Sequence, residues 1–132
     1  MQNETRVAII SEADIVTARQ KGRSLATELG FDGSDLTVIA TAISEVARNI
    51  VVHAKEGEIV LTPLNHGNKR GISIMARDDG PGIPDIDQAM QYGYSTGKGL
   101  GVGLPGAKWL VDEFAIASKI GKGTTVTMGK WL

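Results

Sequence analysis

The sequence predicts an α/β two-layer sandwich whose mixed, mostly antiparallel sheet carries its helices on one face. Two observations predict it. Apolar residues recur at spacings of three and four in two long segments near the N-terminus, and the later apolar runs are short, partly β-branched and paired around turn residues. Strands that arrive in hairpin pairs, rather than singly between helices, disfavour a doubly wound parallel sheet. With 132 residues and 42% hydrophobic content, the chain can bury one core and is too short for two, so residues 1–132 read as one domain.

Each element has its own signal. Thr5 to Ile10 alternates as a short strand, and Ser11 is placed to cap a helix that runs to about Leu29 and stops at Gly30. In that helix Ile15, Ala18, Gly22, Leu25 and Leu29 form one stripe facing a sheet. Ser34 is the next capping candidate, before a helix over about Asp35 to His53 with Leu36, Ile39, Ala40, Ile43, Ala47 and Ile50 on its core side. Gly57 to Leu64 and Gly71 to Asp78 read as strands joined through Asn65-His66-Gly67-Asn68. Asp85 to Met90 is a short helix candidate, and Gln91 to Lys98 a polar, glycine-bearing loop. Helical spacing returns from Leu100 to Val111. Glu113 to Ser118 and Thr124 to Met128 close the chain as a second hairpin around Gly121-Lys122-Gly123.

Charge and composition exclude several functions. Against 15 Asp+Glu stand 14 Lys+Arg, a formal net charge of -1, so no global field draws in nucleic acid or an anionic membrane. There is no cysteine, hence no disulfide, thiolate metal site or cysteine nucleophile. Uninterrupted apolar runs fall short of the ~20 residues that span a bilayer, and MQNETR lacks the basic-then-apolar order of a signal peptide. The expected location is cytoplasmic, with no membrane and no nucleic-acid partner. Nine of the 17 glycines stand in DDGPGIP, STGKGLGVGLPG and KIGKGTT, at loops where backbone must come close to something.

Four segments carry candidate chemistry. Glu45 and Asn49 lie i, i+4 on the second long helix and so share a face, roughly opposite the isoleucine stripe. That face is a ligand wall or a solvated surface. Asp78-Asp79-Gly80-Pro81-Gly82-Ile83 ends a strand; its carboxylate can accept from an exocyclic amine while Gly80 and Gly82 let a flat ring come near, although an ordinary DG turn reads the same way. Thr96 to Leu104 runs into a helix, and Gly99, Gly101 and Gly103 there would present backbone N–H groups at the positive end of the helix dipole, as a phosphate cradle does. GKGLG lacks the spacing of a P-loop, and it follows a loop rather than the first strand of a Rossmann unit. Gly121-Lys122-Gly123-Thr124-Thr125 is, by itself, a tight turn.

In order along the chain, Glu45xxxAsn49, Asp78xGly80xGly82, Gly99xGly101xGly103 and Gly123-Thr124 resemble the N, G1, G2 and G3 boxes of the GHKL ATPases. The resemblance covers nearly the whole chain and implies the Bergerat form of the two-layer sandwich. It also implies ATP and Mg²⁺ as cofactors. Asn49 would ligate Mg²⁺ through its amide oxygen, and Glu45 would act as general base or orient the attacking hydroxyl. Asp78 would accept from the adenine amino group, with Thr124 or Thr125 in support. Gly80 and Gly82 would let the ring approach, while Gly99, Leu100, Gly101, Val102 and Gly103 would hold phosphates. Residues 86–98 would form the lid over ATP, within which Lys98 would reach the terminal phosphates or simply be solvated. Arg48 would stabilise transferred charge or be exposed.

The wording SEVARNI and GLGVGLPGAK is similar to the switch kinases of bacterial stress signalling complexes, which are relatives of the anti-sigma-factor kinases. This similarity implies a protein serine/threonine kinase whose substrate is a STAS-domain protein in a large signalling complex, with a PP2C-type phosphatase as a further partner. An anti-sigma factor kinase and a non-catalytic nucleotide-gated module are the alternatives. Histidine autophosphorylation is not expected, because the two histidines, His53 and His66, do not precede an acidic residue on an upstream dimerising helix.

Overall fold

The computed structural model describes residues 4–86, 90 and 103–132. Strand β1 (Thr5–Ile9) is followed by helices α1 (Glu12–Leu29) and α2 (Ser34–His53) and the hairpin β2 (Gly57–His66) and β3 (Lys69–Asp78). Helix α3 (Gly103–Leu110) then leads into a second hairpin, β4 (Glu113–Lys119) and β5 (Gly123–Trp131). The five strands form one sheet in the order β1-β2-β3-β5-β4. Every neighbouring pair is antiparallel, and β2–β3 and β4–β5 are the two hairpins.

Register explains the core. Because side chains alternate, the helix-facing positions fall into rows across the strands. One row is Thr5, Leu61, Ile74, Met128 and Phe114, and the next is Val7, Ile59, Ala76, Val126 and Ile116. These rows pack on Ile15, Ala18, Ala26 and Leu29 of α1 and on Ile39, Ile43, Val46 and Ile50 of α2. Gly22 permits the close crossing of the two helices: a Cβ there would stand 2.1 Å from the Ile43 Cδ1.

The boundaries refine the sequence reading. Gly30 ends α1 in the left-handed conformation, φ 106°, with the Phe31 N–H donating to the Ala26 carbonyl at 3.0 Å. Ser34 is the first residue of α2 and not its cap; Gly33, at φ 55°, holds that place. The first hairpin is tighter than expected, since strand pairing continues to His66 and Lys69 and leaves Gly67-Asn68 as the turn, with Gly67 at φ 63°. The expected loop over residues 91–98 lies outside the described residues, as does most of the short helix before it.

Helix α2 alone among the described helices has the length and hydropathy of a bilayer span, with mean hydropathy 1.3 over its best window. Here it is the central helix of the sandwich. From Ala42 to Ala47 every residue is buried, because α1, the sheet and α3 enclose it.

Candidate active site

The polar site is the last helix-facing row of the sheet. Extending the alternation one step past Ile59, Ala76, Val126 and Ile116 gives Gly57, Asp78, Thr124 and Ser118 in register. Asp78 and Thr124 are buried. The Asp78 Oδ1 accepts from the backbone N–H of Gly80 at 2.9 Å and of Thr124 at 3.2 Å. No hydrogen bond to its Oδ2 occurs among the described residues, so one carboxylate oxygen anchors the turn and the other remains an acceptor.

Ser118 is a site residue that sequence reasoning missed. Its Oγ accepts from the Ile83 N–H at 2.7 Å, donates to the Gly123 carbonyl at 3.2 Å and lies 2.8 Å from the Thr124 Oγ1. It therefore ties the segment after Asp78 to the β4–β5 turn, with help from the Gly121 N–H on the Pro81 carbonyl at 2.8 Å. The signal was present: the alternation Phe114, Ile116, Ser118 turns a hydroxyl toward the layer where its two predecessors are apolar.

Glycines Gly80, Gly82 and Gly123 are needed first by the chain itself. A Cβ on Gly80 would lie 2.6 Å from that of Ala54, one on Gly82 2.4 Å from the Lys119 carbonyl oxygen, and one on Gly123 2.1 Å from the Asp78 carbonyl oxygen. Gly82 and Gly123 also have φ of 83° and 112°, where a side chain is strained.

The opposite end of the site is built by α2 and α3. Glu45 is 7% exposed although it sits away from the isoleucine stripe, because α3 covers that side. Its Oε1 accepts from the Gly103 N–H, at the first residue of α3, at 3.0 Å, and its Oε2 lies 3.3 Å from the Arg48 Nη1. The carboxylate thus occupies a helix N-terminal donor, a favourable place for negative charge. Asn49 is half-buried one turn further on, with no hydrogen-bond partner among the described residues. It stands between Glu45, which touches α3, and Ala54, which Gly80 packs against, over about 13 Å of helix.

The structure thus brings Asp78, Gly80, Gly82 and Thr124 together and places Glu45 with Gly103. Lys98, Gly99, Leu100, Gly101 and Val102 lie outside the described residues. No cluster of histidine or carboxylate side chains suited to a metal ion occurs among the described residues.

The fold is thus a two-layer sandwich with a buried aspartate and threonine at the sheet's end and a carboxylate and an amide on the facing helix. The chain belongs to the family described as histidine kinase-, DNA gyrase B- and HSP90-like ATPases, whose match spans residues 34–131. It is 50% identical over 132 residues to the serine/threonine-protein kinase RsbT of Bacillus subtilis (strain 168), covering 100% of this chain and 99% of that one. It is also 33% identical over 121 residues to the anti-sigma F factor of Thermoanaerobacter sp. (strain X514), covering 87% of this chain and 83% of that one. A mycobacterial sensor histidine kinase, MprB, has the same fold with a TM-score of 0.57 at 13% identity, over 99% of this chain and 97% of that one. The chain is an ATP-using enzyme of the serine/threonine-protein kinase class.

Proposed function

We propose that this chain phosphorylates a serine or threonine of a STAS-domain scaffold or antagonist protein, and that it acts as a switch by leaving that protein to bind and activate a PP2C-type phosphatase. The observation that carries the nucleotide half of this reading is the division of Asp78, with Oδ1 held by Gly80 and Thr124 and Oδ2 left as an acceptor in a buried polar row. An adenine amino group is the donor that such an oxygen recognises. Full-length similarity to RsbT supports the switching half, and the lower similarity to an anti-sigma F factor keeps sequestration of a sigma subunit as the second reading.

The residues fit Mg²⁺-ATP by their chemistry. Asn49 offers a half-buried amide oxygen, the hard donor that Mg²⁺ accepts alongside phosphate oxygens and water. When bound, the ion would neutralise charge on the phosphates. Glu45, one turn from Asn49, would take the proton of the attacking hydroxyl or align it. To do so it must exchange its contact with the Gly103 N–H, which then turns to a phosphate oxygen, as Gly99 and Gly101 would. Arg48, 3.3 Å from the Glu45 Oε2, would keep that carboxylate oriented. Lys98, Leu100 and Val102 complete the phosphate loop in this reading, Thr125 supports Asp78 or the ring, and residues 1–132 act as one cytoplasmic domain.

The test is transfer from γ-labelled ATP with Mg²⁺ to STAS-domain proteins, comparing the native chain with Glu45→Ala and Asn49→Ala. Label on a partner serine or threonine, lost in both variants while ATP binding by Glu45→Ala persists, is the expected result. ATP binding without any transfer would replace the kinase by a nucleotide-gated module.

A further inference from the structure

The helices cover one face of the sheet, and the other face carries cations that the proposed nucleotide site does not use. Where β3 and β4 end and β5 begins, a trough of about 520 Å³ opens on the uncovered side, floored by Met75, Ala117 and Thr125 and flanked by Arg77, Lys119 and Lys122, with Asp78, Ser118 and Thr124 of the polar row as a shared wall. Register puts Arg77, Thr125 and Ala117 in one outward row, with Lys119 one step further along β4 and Lys122 in the turn.

Three exposed cations share this trough, and none has an ion-pair partner among the described residues. The reason is visible for Arg77. Its cross-strand neighbour on β2 is Glu58, whose two oxygens both lie 3.1 Å from the Arg6 Nη1. The acid that would neutralise Arg77 is already engaged. Asp79 also lines the trough but makes no ion pair with any of the three. Beside them β4 is an edge strand whose outward side chains between Glu113 and Lys119 are the small Ala115 and Ala117, so an extended chain can lie close to it.

We propose that this trough docks an acidic segment of a partner protein. Charge complementarity selects that occupant: a few spaced carboxylates can meet three cations over a floor with apolar and hydroxyl character. A polynucleotide or anionic membrane would bring dense charge against Asp79, Glu58 and Glu113 on the same face, in a chain of net charge -1. The trough backs directly onto the nucleotide end, since Thr124 faces inward where Thr125 faces outward and the Lys119 carbonyl rests on Gly82. A partner held here leaves the helix-side opening uncovered. The proposal rests on the kinase reading only in supposing that the partner is a protein.

The test uses a fluorescein-labelled ten-residue peptide of alternating glutamate and alanine, and its glutamine counterpart, in anisotropy titrations at about 50 and 300 mM salt. The native chain should bind the acidic peptide at least about tenfold more tightly than the glutamine peptide at the lower salt, and lose most of that preference at the higher. Arg77→Gln/Lys119→Gln/Lys122→Gln should weaken acidic-peptide binding about tenfold or more. Arg19→Gln/Lys21→Gln/Arg23→Gln, an equal charge loss on the exposed side of α1, should change it less than about twofold. Lys122→Glu alone, in a turn where folding is not at stake, should weaken it about threefold or more. Affinity for a fluorescent ATP analogue should be unchanged in all of these, which separates this proposal from the kinase reading. Equal losses in the two triple variants, no acidic-peptide binding by the native chain, tighter binding of a labelled single-stranded RNA that the trough variant also loses, or a loss of ATP affinity in the trough variant would each overturn it.

Discussion

In the proposed nucleotide site Asp78 and Ser118 differ in role: Asp78 would face the ligand, and Ser118 holds the chain. Replacing Asp78 by Asn keeps an oxygen for the Gly80 and Thr124 N–H groups but turns an NH₂ toward the place of the Oδ2. A donor then meets the adenine amino group, and the interaction changes sign. Asp78→Asn should lower ATP affinity at least about tenfold in isothermal titration while its circular dichroism stays native; unchanged affinity would remove Asp78 from the nucleotide site. Ser118→Ala should act the other way round. Its hydroxyl satisfies the Ile83 N–H and the Gly123 carbonyl, so the expected loss is about 1–3 kcal/mol in urea unfolding, with a smaller effect on ATP binding. Stability within experimental error of the native chain would mean that water replaces the hydroxyl.

At the scale of elements, helix α1 starts on a carboxylate. Asp14 accepts from the N–H groups of Ile10 at 2.8 Å and Ser11 at 3.0 Å, and these two hydrogen bonds hold its carboxyl below the usual aspartate range. A depressed value in the folded chain means that the unfolded chain takes up the proton first. The stabilisation is therefore complete above the ordinary aspartate range and is lost as pH falls through the folded value. The melting temperature of Asp14→Asn should lie below that of the native chain at neutral pH, and the gap should narrow as pH falls below the ordinary aspartate range. A constant gap would deny the carboxylate its capping role. The same helix shows what was legible in the sequence. Its stripe and its Gly30 stop could be read, because both follow from spacing and from glycine's freedom at positive φ. Ser11 holds the N-cap place that the sequence assigns it, and the part that spacing alone does not show is that Asp14, in the first turn, reaches back to the Ser11 N–H. Asp78 and Thr124 were legible as motif residues, and register then shows why they lie side by side. Burial of Glu45 was not legible: a helical wheel gives its direction from the isoleucine stripe, but only tertiary packing brings α3 over it.

For the whole molecule, the proposed nucleotide site joins parts far apart in sequence: Asn49 on α2, Asp78 on β3, Gly103 on α3 and Thr124 on β5. A ligand that touches all four meets them only in the assembled sandwich, because no one element presents more than one of these groups. Such a ligand binds the native state and not the unfolded chain, and it stabilises by mass action. At about a hundredfold excess of Mg²⁺-ATP over its dissociation constant, the gain is about 2.7 kcal/mol. For a domain of this length that corresponds to a rise of about 8–12 °C in melting temperature. The rise should shrink when the metal is removed by chelation, because the phosphates would then lose the bridge to Asn49, and it should be nearly abolished in Asp78→Asn. Differential scanning calorimetry across a titration of ATP is the measurement. A melting temperature indifferent to Mg²⁺-ATP in the native chain would mean that these four groups do not form one site, however closely their order along the chain follows that of the family.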